Sequence, residues 1–373
     1  MANIKTNIRK YAKKTVNILI LFFVYFCQAL FIVSLKDSFD REKIRNRTLV
    51  FLDEGKKRNI NIKTIYIFGI QTIFFIIYSG KKRIIFDRLP LGESYYRVSQ
   101  RVVENKYKVK KILFKNDIPT PIGNVFKHKS LAFDYANQIG YPVVIKPIDG
   151  SLSKNVIIDI KNKARLNQSI NKIKKYENIF LLEKFIPGDN YRALVIDNKF
   201  AGCVMRYPAH IIGDGKNTIR KLINLKNKHP LRGDKDKFNI TLYKIEITKD
   251  IIDRLKNKGY ILNTVLRKNE LVFLTDKINA SSGVEIYDVT DKVHPKTIYL
   301  FEKISQVFDS KLVGIDYISK DIAIPYDKVT SSVIEINSVP YIDLHHFPMK
   351  GKSRNVSAHL WDMILGSSDQ EIN

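Results

Sequence analysis

Residues 331–340 read SSVIEINSVP, and the side chains there that can do chemistry are Glu335 and Asn337. Val333, Ile334 and Ile336 make the run an apolar strand, in which residues two apart share a face. A carboxylate and an amide together on so apolar a strand need partners, because an unpaired buried charge is costly. A hydrogen-bonded core pair or an edge facing water would satisfy them, and so would a metal ion. The run GIDYI, about twenty residues earlier, places Asp316 in a second apolar strand. Three oxygen side chains from two neighbouring strands suit Mg²⁺, which takes oxygen ligands and is commonly shared with substrate phosphates.

Two further runs have the residue types for a phosphate or nucleotide contact. Lys146 lies at the end of the strand YPVVIKP, before a loop of small residues that includes Ser151 and Ser153. An ammonium supplies a point charge there, and loop amides add donors. In LLEKFIPGDNYR, a strand carrying Glu183 runs into a turn. Such a segment can offer backbone bonds to a purine and a carboxylate to a ribose or amine. A solvated strand-end lysine and an ordinary edge strand fit these runs equally well.

The elements that must position these groups follow from periodicity. Residues 61–87 read as strands with a hairpin at Ser79-Gly80, and YRALVIDNKFAGCVMRY as a hairpin turning at Asp197-Asn198. Helices are expected over about 102–116, 162–176, 217–227, 248–258, 296–308 and 354–365. Strands are expected near 271–275, 312–318 and 332–337. Hairpins mixed with helices point to α+β, not a purely parallel sheet. His345 and His346, read as a strand pair, would face opposite ways and hold no metal together. His210 and the loop GDGKNT read as structural or as part of substrate closure, with a helix cap at Asn217 or Thr218.

The chain has 373 residues, room for two or three packed units, and a net charge of +27. That excess favours anionic partners. The lysines are spread without a dense tract or zinc-finger spacing, which argues against nucleic acid. Cys27 and Cys203 make no disulfide framework, and a reducing compartment is expected. Residues 15–35 carry no charge and follow Arg9, Lys10, Lys13 and Lys14. The length suits one bilayer crossing or an interfacial helix. A crossing with the basic end inside would place the rest of the chain away from ATP, so the expectation is a peripheral or re-entrant hold on the cytoplasmic membrane face, or the opposite orientation.

The order Lys110, Lys146, Glu183, Asp316, Glu335, Asn337 resembles the ATP-grasp superfamily. RYPAHIIGDGKNTIRKLI, NASSGVEIYDVTDKVHP, VIEINSVP and KGKSRNV look like the ATP-grasp module of cyanophycin synthetase and its relatives, from about Lys106 to Leu365. The resemblance implies an ATP-grasp fold of three subdomains, with ATP between two antiparallel-type sheets. It implies an ATP-dependent carboxylate–amine ligase working through an acyl phosphate. Lys110, Lys146, Ser151 and Ser153 would hold the ATP phosphates, and Glu183, Lys184, Phe185, Ile186 and Asn190 would meet adenine and ribose. Asp316, Glu335 and Asn337 would hold Mg²⁺, two ions in all and replaceable by Mn²⁺. Arg192 and Arg206 would steady the transferring phosphoryl group; surface ion pairing is their ordinary alternative.

Expected boundaries are a basic, apolar amino-terminal segment at 1–40, a small α/β subdomain at 41–104, the ATP-grasp domain at 105–366 with its lid at about 140–190, and a tail at 367–373. The sequence departs from the family at Ser153 and Asn155, where glycines are usual, at Thr275, where arginine is common, and at Tyr341, where glycine is common. Asn190 stands where an acidic residue often meets ribose. The second, Mur-ligase-like half of cyanophycin synthetase has no counterpart in these residues. A small-molecule kinase and a non-catalytic ATP binder are the rival readings.

Overall fold

The computed structural model describes residues 19–90, 105–148 and 156–369. The chain forms two compact units. One comprises Met1–Arg97, Pro208–Ile286 and Tyr341–Asn373, the other Val98–Tyr207 and Tyr287–Pro340.

The first unit contains an antiparallel sheet of β1 (Val33–Lys36), β2 (Asn61–Ile67), β3 (Ile70–Ser79) and β4 (Lys82–Phe86), paired in that order. Gly80, at φ +52, closes the expected β3–β4 hairpin. Strand alternation gives the sheet two apolar faces. Val33, Ile65 and Ile76 on one face pack with Val24 and Cys27 of helix α1, residues 19–29. On the other face Phe75 and Phe86 stack at 5.4 Å, and Phe86 meets Phe51 of α2 (Asn46–Lys57) edge-on. Phe51 in turn lies flat on Trp361 of the carboxy-terminal helix, at 4.3 Å.

The uncharged run at 15–35 is thus not one helix. Its described part ends at residue 29, where Phe31 takes φ +59 and the Ile32 amide bonds to the Cys27 carbonyl, and the chain turns into β1. Among the described residues no helix is long and apolar enough to cross a membrane; residues 15–18 lie outside them.

Elsewhere in this unit His210–Ile212 pairs with Leu271–Phe273, over a core that includes Ile219, Ile223, Ile251 and Leu255 from helices Ile219–Asn227 and Lys249–Lys256. In the GDGKNT loop, Asp214 accepts from the amides of Asn217 and Lys216, which hold its carboxyl down at about 2. Thr218 caps the helix that follows, as expected. His210 is buried, with Nδ1 3.0 Å from the Pro208 carbonyl and Nε2 3.1 Å from Lys226 Nζ.

His345 and His346 lie in a one-turn helix, Asp343–His346, not in a strand, and His345 is buried. His346 Nε2 accepts from the Ser357 amide at 3.3 Å and lies 2.9 Å from its hydroxyl. Burial pushes this imidazole down from 6.5 to about 4. A folded-state pKa below the unfolded one means the unfolded chain takes up the proton first, so stability is lost as pH falls from 6.5 towards 4. The loss attributable to His346 should reach about 2–3 kcal/mol. The melting temperature of H346Q should therefore approach that of the parent as pH drops from 7 to 5; parallel profiles would remove His346 from the acid response.

The second unit carries two sheets. The smaller consists of β5 (Gly123–Phe126), β6 (Val143–Pro147), β7 (Ile157–Ile160) and β8 (Phe180–Lys184), in the order β5-β8-β6-β7. Helices Lys129–Ile139 and Lys163–Ile173 cover one face, with Ala132, Ala136, Leu166 and Ile170 packed on Ile145 and Leu182. The larger sheet runs β11-β10-β9-β12-β13, from β9 (Asp189–Ile196), β10 (Lys199–Tyr207), β11 (Glu285–Asp288), β12 (Leu312–Ser319) and β13 (Ser331–Asn337). Its β9–β10 hairpin turns at Asp197 and Asn198, with φ of +50 and +63, the two left-handed residues of a tight hairpin turn. Ala193, Val195, Ile315, Tyr317 and Ile336 face a core filled by Val109 and Leu113 of helix Lys106–Lys115 and by Phe301 and Ile304 of helix Pro295–Val307. The residues between them on each strand point away from that core.

Candidate active site

On the smaller sheet, Phe180 and Leu182 of β8 face the helices, so Glu183 points the other way, as does Lys146 of β6. Helix Lys106–Lys115 brings Lys110 to the same carboxylate. Lys110 Nζ is 2.8 Å from Glu183 Oε1 and Lys146 Nζ 2.6 Å from Oε2. All three side chains are buried. Burial, the largest single influence on Glu183, pushes its carboxyl up, but Lys146 and Lys110 together carry it below the usual range. Burial lowers the Lys110 ammonium, against the pull of Glu183. The Lys110 ammonium also donates to the Pro121 carbonyl. Two cations share one anion, leaving one positive charge over.

The outer face of the larger sheet repeats that ratio. Antiparallel register sets Asp316 of β12 opposite Arg192 of β9 on one side and Glu335 of β13 on the other. Arg192 Nε donates to Asp316 Oδ1 at 2.5 Å, and Arg206 Nη2 reaches the same oxygen at 3.1 Å. Oδ2 accepts from neither. Arg206 Nε and Asn337 Nδ2 are buried without a hydrogen-bond partner among the described residues. Glu335 makes no ion pair there either. Burial, and then the charge of Asp316, push its carboxyl up. Two glycines make room for these groups. A Cβ on Gly314 would come within 3.0 Å of Arg192 Nη1, and one on Gly123 within 2.6 Å of Glu183 Cγ.

A model of the RimK-like ATP-grasp domain matches residues 103–215, a stretch that carries Lys110, Lys146, Glu183, Arg192 and Arg206. Residues 103–215 carry a RimK-like ATP-grasp domain. The chain is 34% identical to the cyanophycin synthetase of a Synechocystis strain over 266 residues, 70% of this chain and 30% of that protein. It is 32% identical over 290 residues to the glutathione biosynthesis bifunctional protein GshAB of Desulfotalea psychrophila, covering 77% of this chain and 36% of that one. The chain thus spans about a third of the length of these relatives. A solved bifunctional glutathione synthetase from Pasteurella multocida shares the fold, with a TM-score of 0.66 at 24% identity over 87% of this chain and 45% of that one. The α+β, ATP-grasp architecture expected from the sequence is the one observed.

Among the described residues no three His, Cys, Asp or Glu side chains gather as a metal cluster; the donors on the ATP-grasp sheet are two carboxylates and an amide. They fit a hard cation. Glu335 and Asp316 are cross-strand neighbours whose mutual repulsion a divalent ion would relieve. Both arginines leave Asp316 Oδ2 aside, and turning the Asn337 amide presents its oxygen in place of an orphaned donor.

Other expected contacts fall as follows. Ser151 and Ser153, with Asn155, lie outside the described residues. Lys184 and Phe185 use their amides on the Ile122 and Pro142 carbonyls, and Lys184 Nζ turns back to the Gly140 and Tyr141 carbonyls. Among the described residues the Ile186 amide has no such partner. The Glu183 carboxylate is held by the two lysines instead of lying open to a purine or ribose. Asn190 sits two residues before Arg192 on the same face, paired with Arg206. Sequence reasoning missed Gly123, Gly314 and Lys106, whose charge acts on Glu335. The available signal for Gly314 was its place two residues before Asp316.

Proposed function

We propose that the protein is an ATP-dependent carboxylate–amine ligase. The γ-phosphoryl group of ATP passes to a substrate carboxylate oxygen and ADP leaves. An amine then attacks the carbonyl carbon of the acyl phosphate, phosphate departs with the C–O bond electrons, and the nitrogen loses a proton to give the amide. The carrying observation is the outer face of β9, β12 and β13: Asp316 with two guanidiniums on one oxygen, Glu335 beside it, and buried orphan donors at Arg206 Nε and Asn337 Nδ2. Donors fixed before the reaction suit charge that develops on phosphoryl oxygens. Mg²⁺, when bound, neutralises the phosphates; Asp316, Glu335 and Asn337 would hold it, as two ions, with Mn²⁺ as a substitute. Lys110 and Lys146 are the phosphate cations, and Arg192 positions the charge that Arg206 completes. The names of the relatives, cyanophycin synthetase and a glutathione biosynthesis protein, support ligation. An amino acid joined to a peptide, or to a uronic acid of a cell-surface precursor, is the substrate class we favour. The need for ATP puts the protein in the cytoplasm, and α1 offers a hold on the cytoplasmic membrane face.

The test is ADP release by the full chain with Mg²⁺ and ATP against amino acids and uronic acids, singly and in pairs. Release that requires both a carboxylate and an amine, with amide product by mass, is expected. Release with one partner and a stable phosphorylated product would move the protein to the kinases. G314A should cut that release about ten-fold or more by displacing Arg192, with nucleotide binding largely kept; full activity would mean that the guanidinium position is unimportant.

A further inference from the structure

The first unit exposes a run of large apolar side chains that the nucleotide chemistry does not use. One side of α1 packs on the sheet through Val24 and Cys27. Its other side turns Phe22, Phe23 and Phe26 outward, Phe22 with 70% of its surface exposed. Just beyond the helix Phe31 is 95% exposed, and the β2–β3 turn presents Phe68 and Ile70, at 74% and 71%. The two groups adjoin, because the Phe68 amide bonds to the Ile32 carbonyl at 2.9 Å and Val33 pairs with Ile67. So many bulky apolar groups left in water mark an interaction surface, not ordinary scatter.

We propose that this surface, the outer side of α1 with the Phe31 and Phe68 tip, inserts into the interfacial layer of a bilayer containing anionic lipid. Two observations choose lipid over a protein partner. The side chains are predominantly phenylalanines, which a fluid apolar layer accommodates without a shaped counterpart. The eighteen residues before α1 carry Lys5, Arg9, Lys10, Lys13 and Lys14 and no acidic residue, the charge that anionic headgroups attract. With one side of α1 committed to β1–β4, the mode is lying on the surface, not crossing. The inference gives the membrane-holding part of the proposed function a physical surface and is independent of its ligase chemistry.

The experiment is co-sedimentation of the full chain, without nucleotide, with vesicles of phosphatidylcholine and of phosphatidylcholine mixed with phosphatidylglycerol. Binding is expected to the mixed vesicles and to be extractable by alkaline carbonate. F31S/F68S and F22S/F26S should each lower the vesicle partition coefficient by about ten-fold or more, with melting temperature and ADP release in solution unchanged. Binding equal to the parent in both variants, or no binding by the parent, overturns the proposal. So does resistance to carbonate, which would mean a crossing. Variants that turn a dimer into a monomer without altering vesicle partition would assign the surface to a second copy instead. Vesicle binding that persists while every ligase assay is silent would sink the enzymatic reading and leave this one standing.

Discussion

Glutamine at position 335 is expected to lower ADP formation about a thousand-fold, the size of loss seen when a preorganised charge-stabilising group is removed, without lowering the melting temperature. Both halves of that expectation come from the same geometry. Glu335 lies across from Asp316 and has no ion-pair partner among the described residues. Burial and then Asp316 raise its carboxyl. A carboxyl whose folded pKa lies above its unfolded one loses stability as pH rises through the folded value, because the folded chain must give up a proton it prefers to keep. Glutamine resembles the protonated acid and escapes that cost. The melting temperature of E335Q in metal-free buffer should therefore equal the parent at low pH and exceed it increasingly above the ordinary carboxylate range. Undiminished ADP formation by E335Q would remove this residue from the phosphate chemistry and return it to a core hydrogen-bond pair.

Asparagine at position 316, one strand away, should do the opposite to stability. Asp316 is the only described carboxylate that meets Arg192 and Arg206, both through Oδ1. Burial alone would raise its carboxyl, and the guanidiniums of Arg192 and then Arg206 hold it below the usual range. Removing that charge leaves two buried guanidiniums facing each other. Breaking a buried pair in this way costs about 3–5 kcal/mol, or roughly 10 °C in melting temperature for a unit of this size. Thermal unfolding of D316N at neutral pH reads it directly. A melting temperature within a degree or two of the parent would mean that water reaches the arginines and that the triad is a surface network.

Much of this was legible in the sequence. Alternation located β12 and β13, the Asp197-Asn198 pair located the hairpin, and the i, i+2 spacing put Glu335 and Asn337 on one face. What could not be read were the partners. Arg192 and Asp316 meet across 124 residues of chain through antiparallel register, and no local pattern encodes register between strands so far apart. Glu183 looked like an open carboxylate because its two lysines come from a separate helix and strand. The uncharged run at 15–35 suggested one helix by composition alone, whereas Phe31 breaks it and β2 recruits the remainder as β1. The two histidines fell into a helical turn too short to show a period.

The clamp on Glu183 joins parts that the cores keep separate. Lys110 rides on a helix packed into the core of the larger sheet through Val109 and Leu113, whereas Glu183 belongs to the smaller sheet. That ion pair ties the smaller sheet to the helix packed on the larger one. A phosphate drawn to Lys110 would compete with Glu183 for the same ammonium, so any anion bound there and the tie between the two sheets would draw on one charge. Tighter anion binding at Lys110 would therefore also weaken the contact between the two sheets.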